Sequence, residues 1–395
     1  MRMNSLSQSG IYHDLISEFS TNGHNIYAIT PCEKRNRDNY SLLKECGNAY
    51  YIQALIPNYY SVGNIQKGIS SMLISGRYYH AIREAVPNVK FDLILYATPP
   101  ITICRLVEKI KKRDNAFAYL LLKDIWPQGP IDLGALSTSG VKGLITKYFQ
   151  KKEHEIYKVS DFIGCMSPKN CEYIIKHSGV DKNIVEICPN SIRIREYMPT
   201  DKDGIRTKIG IPRDKLVFVY GGNLGVPQGV DFIIRCLEEN ERSLRNYILI
   251  IGAGTEYDRL NDWFEKHMPR NSKLIQYLPQ DEYNEVVKAC DVGLIFLDHR
   301  FSIPNFPSRL LSYMEAKLPI LAATDPNTDV GNVIEEGGFG YWCESDTDKV
   351  ESFTGLMQEF SDEDRRRKMG ENAYRFLTDN YSVTDAYKTI MEHLK

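Results

Sequence analysis

From residue 24 onward the chain alternates short apolar runs of strand length with stretches whose apolar residues recur at helical spacing. Strand patterns fall at 24–30, 50–56, 91–96, 116–122, 161–166 and 184–188, with helical patterns at 65–85, 101–112 and 141–157 among them. A second series has strands at 215–220, 247–251, 273–277, 292–297, 320–323 and 340–343. Its helices fall at 229–239, 257–267, 283–289, 307–317 and 330–336. Strands separated by helical crossovers predict parallel, doubly wound sheets, so the fold class is α/β. A chain of 395 residues exceeds what one core sustains, and the two series read as two domains. Residues 189–199 leave the first sheet and 200–204 are polar, so this stretch is the linker candidate. Three charged helical patterns, at 346–360, 363–380 and 383–394, finish the chain.

The N-terminal series opens in an unusual way. Residues 1–9 are polar, and helical spacing begins at Gly10 with Ile11, Leu15, Ile16 and Phe19 before any strand. A doubly wound sheet normally starts on a strand that becomes central. Either the reading frame begins downstream of the true start, or this half lacks a strand that should line its cleft.

Composition bears on partners and compartment. A formal charge of −2 gives no global basis for nucleic-acid binding. Nine cysteines occur without a C-x-x-C pair or a signal peptide, which predicts reduced thiols in a cytoplasmic protein and no zinc site. No apolar run reaches the ~18 residues of a membrane span.

Three stretches carry candidate chemistry. In residues 301–325, Pro307 suits the first turn of a helix. Leu310, Leu311, Met314 and Leu318 then share an apolar face, and Ser308, Ser312 and Glu315 a polar one. Ser308 and Glu315 nearly eclipse each other about 10.5 Å apart along the axis, roughly the reach from a diphosphate to the far side of a ribose. The helix mouth and Arg309 would meet an anion, and Glu315 a pair of sugar hydroxyls. An ordinary amphipathic helix with a solvated Glu fits the same spacing.

The second stretch, Leu216-Val-Phe-Val-Tyr-Gly-Gly-Asn-Leu-Gly225, is a strand running into a Gly-rich turn with a helix from Gly229. Such a turn lets backbone approach an anion, although a bare tight turn also fits. A dinucleotide site would need glycine at Tyr220 and an acid where the next strand ends Ile250-Ile-Gly-Ala-Gly254, so these residues argue against a dehydrogenase. Third, Asp124 follows the most apolar strand of the first half, at a carboxyl end where open α/β sheets bind ligands. An Asp in a Trp-Pro turn is the plainer alternative. Separately, residues 142–152 place Lys142, Lys147, Lys151 and Lys152 around an apolar face of Val141, Leu144, Ile145, Tyr148 and Phe149. That pattern fits a helix lying on an anionic membrane or a core helix with a solvated basic edge.

These pieces occur in an order that resembles glycosyltransferase family four, of the two-Rossmann-domain type (GT-B). The matching segments are Gly-Ile-Tyr-His-Asp-Leu (10–15), Asn-Gly-His (22–24), Asp-Ile-Trp-Pro (124–127), Cys-Pro-Asn-Ser (188–191), Tyr-Gly-Gly-Asn-Leu-Gly (220–225), Ile-Gly-Ala-Gly (251–254), Pro-Ser-Arg-Leu-Leu-Ser-Tyr-Met-Glu (307–315) and Leu-Pro-Ile-Leu-Ala (318–322). The resemblance implies two facing Rossmann-like domains: an acceptor domain at 1–198 and a nucleotide-sugar domain at 199–378. A final helix at 379–395 would cross back to the first domain. It implies a retaining transferase that moves a hexose-type sugar from a nucleoside-diphosphate sugar to a lipid-linked saccharide acceptor in bacterial surface polysaccharide synthesis, with peripheral contact at the inner membrane. No cofactor and no divalent metal are expected, and no D-x-D stands in a candidate binding loop. On this reading Asp124 positions or deprotonates the acceptor hydroxyl, and Arg309 stabilises the departing diphosphate.

Donor contacts would come from Gly222, Asn223, Gly225 and Gln228 of the first turn and from Gly252 and Gly254 of the second. Asn305, Ser308, Arg309 and Glu315 complete the set, and the base would meet backbone around Tyr277, Leu278 and Pro279. Two departures from the family pattern stand out. Gln228-Gly229 replaces a Lys-Gly, which leaves Arg309 as the phosphate cation. Pro307 replaces the first of two glutamates. A nucleotide-sugar 2-epimerase of the same fold and a non-catalytic nucleotide-sugar-binding scaffold are the competing readings.

Overall fold

The structure, a computed structural model, describes residues 10–59 and 64–394. The chain folds into two compact units: Met1–Arg193 together with Ser382–Lys395, and Ile194–Tyr381.

The first unit contains α1 (Ile11–Thr21), β1 (Ile26–Glu33), β2 (Leu43–Cys46), β3 (Ala49–Ile56), α2 (Asn64–Ala85), β4 (Leu93–Ala97), α3 (Cys104–Asp114), β5 (Phe117–Leu122), α4 (Gln128–Asp132), α5 (Gly140–Val159), β6 (Phe162–Cys165), α6 (Pro168–Ser178) and β7 (Val185–Ile187). Neither the β2–β3 hairpin nor α6 is anticipated by the pattern. The hairpin closes on Gly47-Asn48 with Gly47 at φ 61°, a two-residue turn that needs a residue tolerant of positive φ.

Strands β4, β5, β6 and β7 form one parallel sheet, whereas β1, β3 and β2 form another. Side-chain packing nevertheless joins them into one layer. Tyr27 and Ile29 of β1 share a core with Ile94 of β4 and with Ile52, Ala81 and Ile110. On the opposite face Ile26 packs with Leu93 and Leu95 beneath Leu15 and Phe19 of α1. Between β1 and β4 there is no ladder pairing among the described residues. Both strands are mainly half-buried, while β5 is buried from Ala118 to Leu122.

One expectation fails on α5. Its first turns leave Leu144 66% and Ile145 51% exposed, so these two residues face outward instead of into the core. Lys152, expected on the basic edge, is instead buried and paired with Glu155. The side chains of Val141 and Lys142 lie outside the described residues.

The second unit runs through α7 (Lys202–Lys208), β8 (Leu216–Asn223), α8 (Val230–Asn240), β9 (Asn246–Ala253), α9 (Tyr257–His267), β10 (Ser272–Ile275), α10 (Gln280–Lys288), β11 (Val292–Phe296), α11 (Arg309–Glu315), β12 (Ile320–Thr324), α12 (Val330–Glu336), β13 (Gly340–Glu344), α13 (Val350–Gln358) and α14 (Glu363–Asn380). Its parallel sheet has the order β10-β9-β8-β11-β12-β13. Phe218, Tyr220, Phe232, Phe296 and Phe353 fill the core on one side; each such burial stabilises by about 1.5–3 kcal/mol. Strand order reverses between β8 and β11, and the crevice beyond their carboxyl ends is where such sheets hold ligands.

The chain then returns to the first unit as α15 (Val383–Met391). Val383 N–H donates to Ile192 C=O at 2.9 Å, and the Tyr387 ring meets Phe19 edge-on at 4.9 Å.

Candidate functional site

Strand β8 stays apolar to Tyr220 and then gives way to Gly221-Gly222-Asn223 at the switch point. Gly221 N–H donates to the Tyr313 hydroxyl at 3.0 Å. Gly222 is exposed with φ 134°, and a Cβ there would sit 3.2 Å from Arg309 Nη2. Glycine at 222 therefore serves both the backbone angle and the approach of the guanidinium.

Arg309 differs from its expected posture at a helix mouth. The helix is only seven residues long, Arg309–Glu315, and opens after Ser308 rather than at Pro307. The guanidinium turns back beneath the Gly-rich turn, its carbon 4.2 Å from the centre of the Tyr220 ring. Nη1 is enclosed and has no hydrogen-bond partner among the described residues. Burial pushes the phenols of Tyr220, Tyr283 and Tyr313 above their ordinary range, so the cation is ringed by neutral hydroxyls. An enclosed cation without a carboxylate is costly, and an anion reaching it offsets that cost.

Gln228 does not take the place of a phosphate-facing lysine. It is buried, and its Oε1 accepts from Gly225 N–H and from Asn223 Nδ2, each at 3.0 Å. Its amide holds the turn in shape. Gly252 and Gly254 act from the neighbouring strand: a Cβ would meet Gly222 O at 2.0 Å and Leu224 O at 2.1 Å respectively. Their lack of side chains lets the β9 turn close against the β8 turn.

Of the remaining candidates, Asn305 and Ser308 precede α11, Glu315 ends it, and Tyr277 follows β10. Ser308 is exposed, and Asn305 has its Nδ2 enclosed without a partner while its C=O accepts from Thr328 Oγ1 at 2.5 Å. Glu315 is half-buried, with Arg195 Nη1 at 3.3 Å from its Oε1. Arg195 is held in turn by the Tyr374 hydroxyl, which donates to its C=O at 2.7 Å. Tyr277 presents an open aromatic face beyond β10, 75% exposed, next to Leu278 and Pro279. Arg195, Tyr220, Tyr283 and Tyr313 went unassigned from sequence. Their contribution depends on packing across strands, and no local motif marks it.

In the first unit Asp124 follows β5 at the carboxyl edge, its C=O accepting from Thr98 Oγ1 at 3.2 Å. The carboxyl is open at its surface, yet protein crowds it enough that burial pushes its pKa up to about 6, against the pull of Lys123. Burial also lowers the Lys123 ammonium to about 8. Tyr12, at the start of α1, is raised to about 12 by burial and by the Asp124 charge. Beside it His13 is buried, which lowers its pKa, and its Nε2 has no partner among the described residues. Asp14 fixes this end of α1 by accepting from Arg193 N–H at 3.0 Å. At neutral pH the Asp124 carboxyl is ionised and able to accept a proton.

Residues 201–376, which lie within the second unit, match the family model described as "Glycosyl transferases group 1". The chain is 24% identical over 257 residues to a "Probable glycosyltransferase", WbjE of Pseudomonas aeruginosa, covering 64% of this chain and 62% of that one. It is 23% identical over 256 residues to WcaI of Escherichia coli K12, a glycosyl transferase named for colanic acid biosynthesis, covering 62% and 60%. The chain thus spans about three-fifths of the length of these relatives. Among solved structures, Anabaena HepE in complex with UDP and glucose superposes with TM-score 0.65 at 14% identity, over 99% of this chain and 97% of that one. At that identity the likeness shows the fold: the chain is built of two Rossmann-like domains of the GT-B type.

Proposed function

We propose that this protein is a glycosyltransferase that moves a sugar from a nucleoside-diphosphate sugar to a saccharide acceptor in surface polysaccharide synthesis. The observation that carries the reading is Arg309, a cation with an unpartnered Nη1 held beneath a Gly-rich turn at the switch point of the sheet. That is a receptor for an anion, and a diphosphate has the charge and the oxygens to fill it.

In the proposed reaction Gly222, Asn223 and Arg309 hold the diphosphate as the bond to the sugar lengthens, so that charge gathering on the leaving oxygen is stabilised. Glu315, oriented by Arg195, receives the ribose hydroxyls, and Tyr277 with Leu278 and Pro279 bounds the base. Asp124 takes the proton of the acceptor hydroxyl. Retention of configuration, independence of divalent metal and a lipid-linked acceptor, which would bring the enzyme to the inner membrane face, complete the proposal. HepE was solved with UDP and glucose, which makes uridine nucleotides the first donors to try.

The test is a panel of nucleotide sugars in thermal shift, followed by transfer assays. A ligand at 100 times its dissociation constant adds about 2.7 kcal/mol of stability, well within detection. The expected result is stabilisation by one donor class and acceptor-dependent release of nucleoside diphosphate. Turnover of a bound donor without acceptor would instead identify an epimerase. The lack of ladder pairing between β1 and β4 among the described residues favours one other reading, a non-catalytic binder; a chain that binds donor yet never releases nucleotide would establish it.

A further inference from the structure

The first unit is continuous in its cores and interrupted in its ladder. Strands β1 and β4 are not paired among the described residues. They also stand further apart than hydrogen-bonded neighbours, which lie about 4.8 Å from each other. Apolar side chains line both faces of the gap between them. On one face Leu15 and Phe19 of α1 share a core with Ile26 of β1 and with Leu93 and Leu95 of β4. On the other, Ile82 of α2 and Leu106 and Ile110 of α3 share a core with Tyr27 and Ile29 of β1 and with Ile94 of β4.

Exposure falls where such a gap puts it. Ile26 to Ile29 of β1 and Leu93 to Leu95 of β4 stay half-buried although helices cover both of their faces. By contrast β5, paired along both edges, is buried from Ala118 to Leu122. The open part of β1 and β4 is thus the edge that each turns to the other. Along it the backbone N–H and C=O groups have no ladder partner among the described residues. Backbone polar groups shut away from water cost free energy unless paired, and an unpaired edge is a template for another strand.

We propose that this gap binds an extended segment of a partner polypeptide, which enters between β1 and β4 as an additional strand. Recognition of this kind draws affinity from main-chain hydrogen bonds and selectivity from the side chains on either face. Successive residues of the inserted strand point to the α1 face and to the α2–α3 face, and both are apolar. The segment is therefore a continuous apolar run, as β5 is, and not an alternation of apolar with polar. Its length is set by β4, which has 5 residues. Proline within the run is ruled out, because a strand paired on both edges needs its N–H groups. The inference does not depend on the transferase reading.

The experiment titrates the full chain with a fluorescent peptide, a valine–isoleucine run of the length of β4 flanked by lysines for solubility. One control peptide carries proline at the centre of the run, and another carries serine at alternate positions. Saturable binding of the apolar peptide is expected by anisotropy, with the amides of β1 and β4 gaining protection together in hydrogen exchange. Each control should bind about 10-fold more weakly, the loss expected when a hydrogen bond or two goes unmade. Equal binding by the proline peptide, or protection confined to other amides, overturns the proposal. Absence of binding overturns it as well. So does self-association in sedimentation that protects the same amides and resists the peptide, which would assign the gap to a second copy of this chain.

Discussion

The Arg309 guanidinium stacks 4.2 Å from the centre of the Tyr220 ring, while its Nη1 has no hydrogen-bond acceptor. A π face steadies the positive charge without using its N–H bonds. The guanidinium is thus oriented before a ligand arrives, and part of its donor capacity is unspent. Replacing Arg309 with Ala should weaken binding of every nucleoside diphosphate about 10- to 100-fold, since hydrogen bonds to charged groups contribute about 1.5–3 kcal/mol. Lys at this position should recover only a fraction, having no planar fork. Isothermal titration calorimetry measures both, and unchanged affinity would remove Arg309 from the site.

Gly222 bears on the same cation from above. A methyl group there would press on Nη2 at 3.2 Å from a backbone at φ 134°. Gly222→Ala is expected to cost about 1–3 kcal/mol of stability and to lower diphosphate affinity as Arg309 shifts. Denaturant unfolding without ligand, followed by titration of the folded variant, separates the two effects.

The raised pKa of Asp124 predicts the acid side of the rate profile. As a general base it works ionised, so kcat/KM should fall as pH drops through about 6. Asp124→Asn should remove that limb and lower kcat by about 10²–10⁴-fold, the usual contribution of a general base. A full-activity Asn variant would transfer the role elsewhere.

A second buried carboxyl acts on stability instead. Glu153 is buried on α5, accepts from the Tyr157 hydroxyl at 3.1 Å, and is pushed by burial up to about 7. An unfolded Glu titrates near 4.3. Between those values the folded state binds more protons than the unfolded one, so stability falls as pH rises through the window. Glu153→Gln keeps the acceptor and removes the charge. It should flatten that dependence and stabilise at pH 8 by a few kcal/mol, on the order of 1.4 kcal/mol per pKa unit. Urea unfolding at pH 5 and pH 8 tests it.

The second unit was largely legible from sequence because its central strands β8, β9, β11 and β12 are buried on both faces and read as continuous apolar runs. The pattern at 257–267 coincides with α9, and that at 330–336 with α12. Periodicity reported less well where packing decides the outcome. Leu144 and Ile145 have the spacing of a core face and lie outward, because α5 begins beyond the layer that would cover them. Gln228 stands where a ligand contact was expected but is taken up by the turn itself. Arg309 was picked out as the phosphate cation, while its aromatic surroundings come from β8, α10 and α11, three elements distant in sequence. Glu315 was likewise visible, and Arg195 beside it was not.

The absence of pairing between β1 and β4 has a mechanical consequence. Along that seam the polypeptide is held by side-chain packing alone, without the ladder that transmits cooperativity across the rest of the sheet. The segment from β1 through β3 can therefore open as its own foldon, at a free energy below that of global unfolding. Native-state hydrogen exchange should reveal it: amides of β1 and β3 exchanging together in dilute denaturant, while those of β5 and β6 wait for the whole unit to come apart.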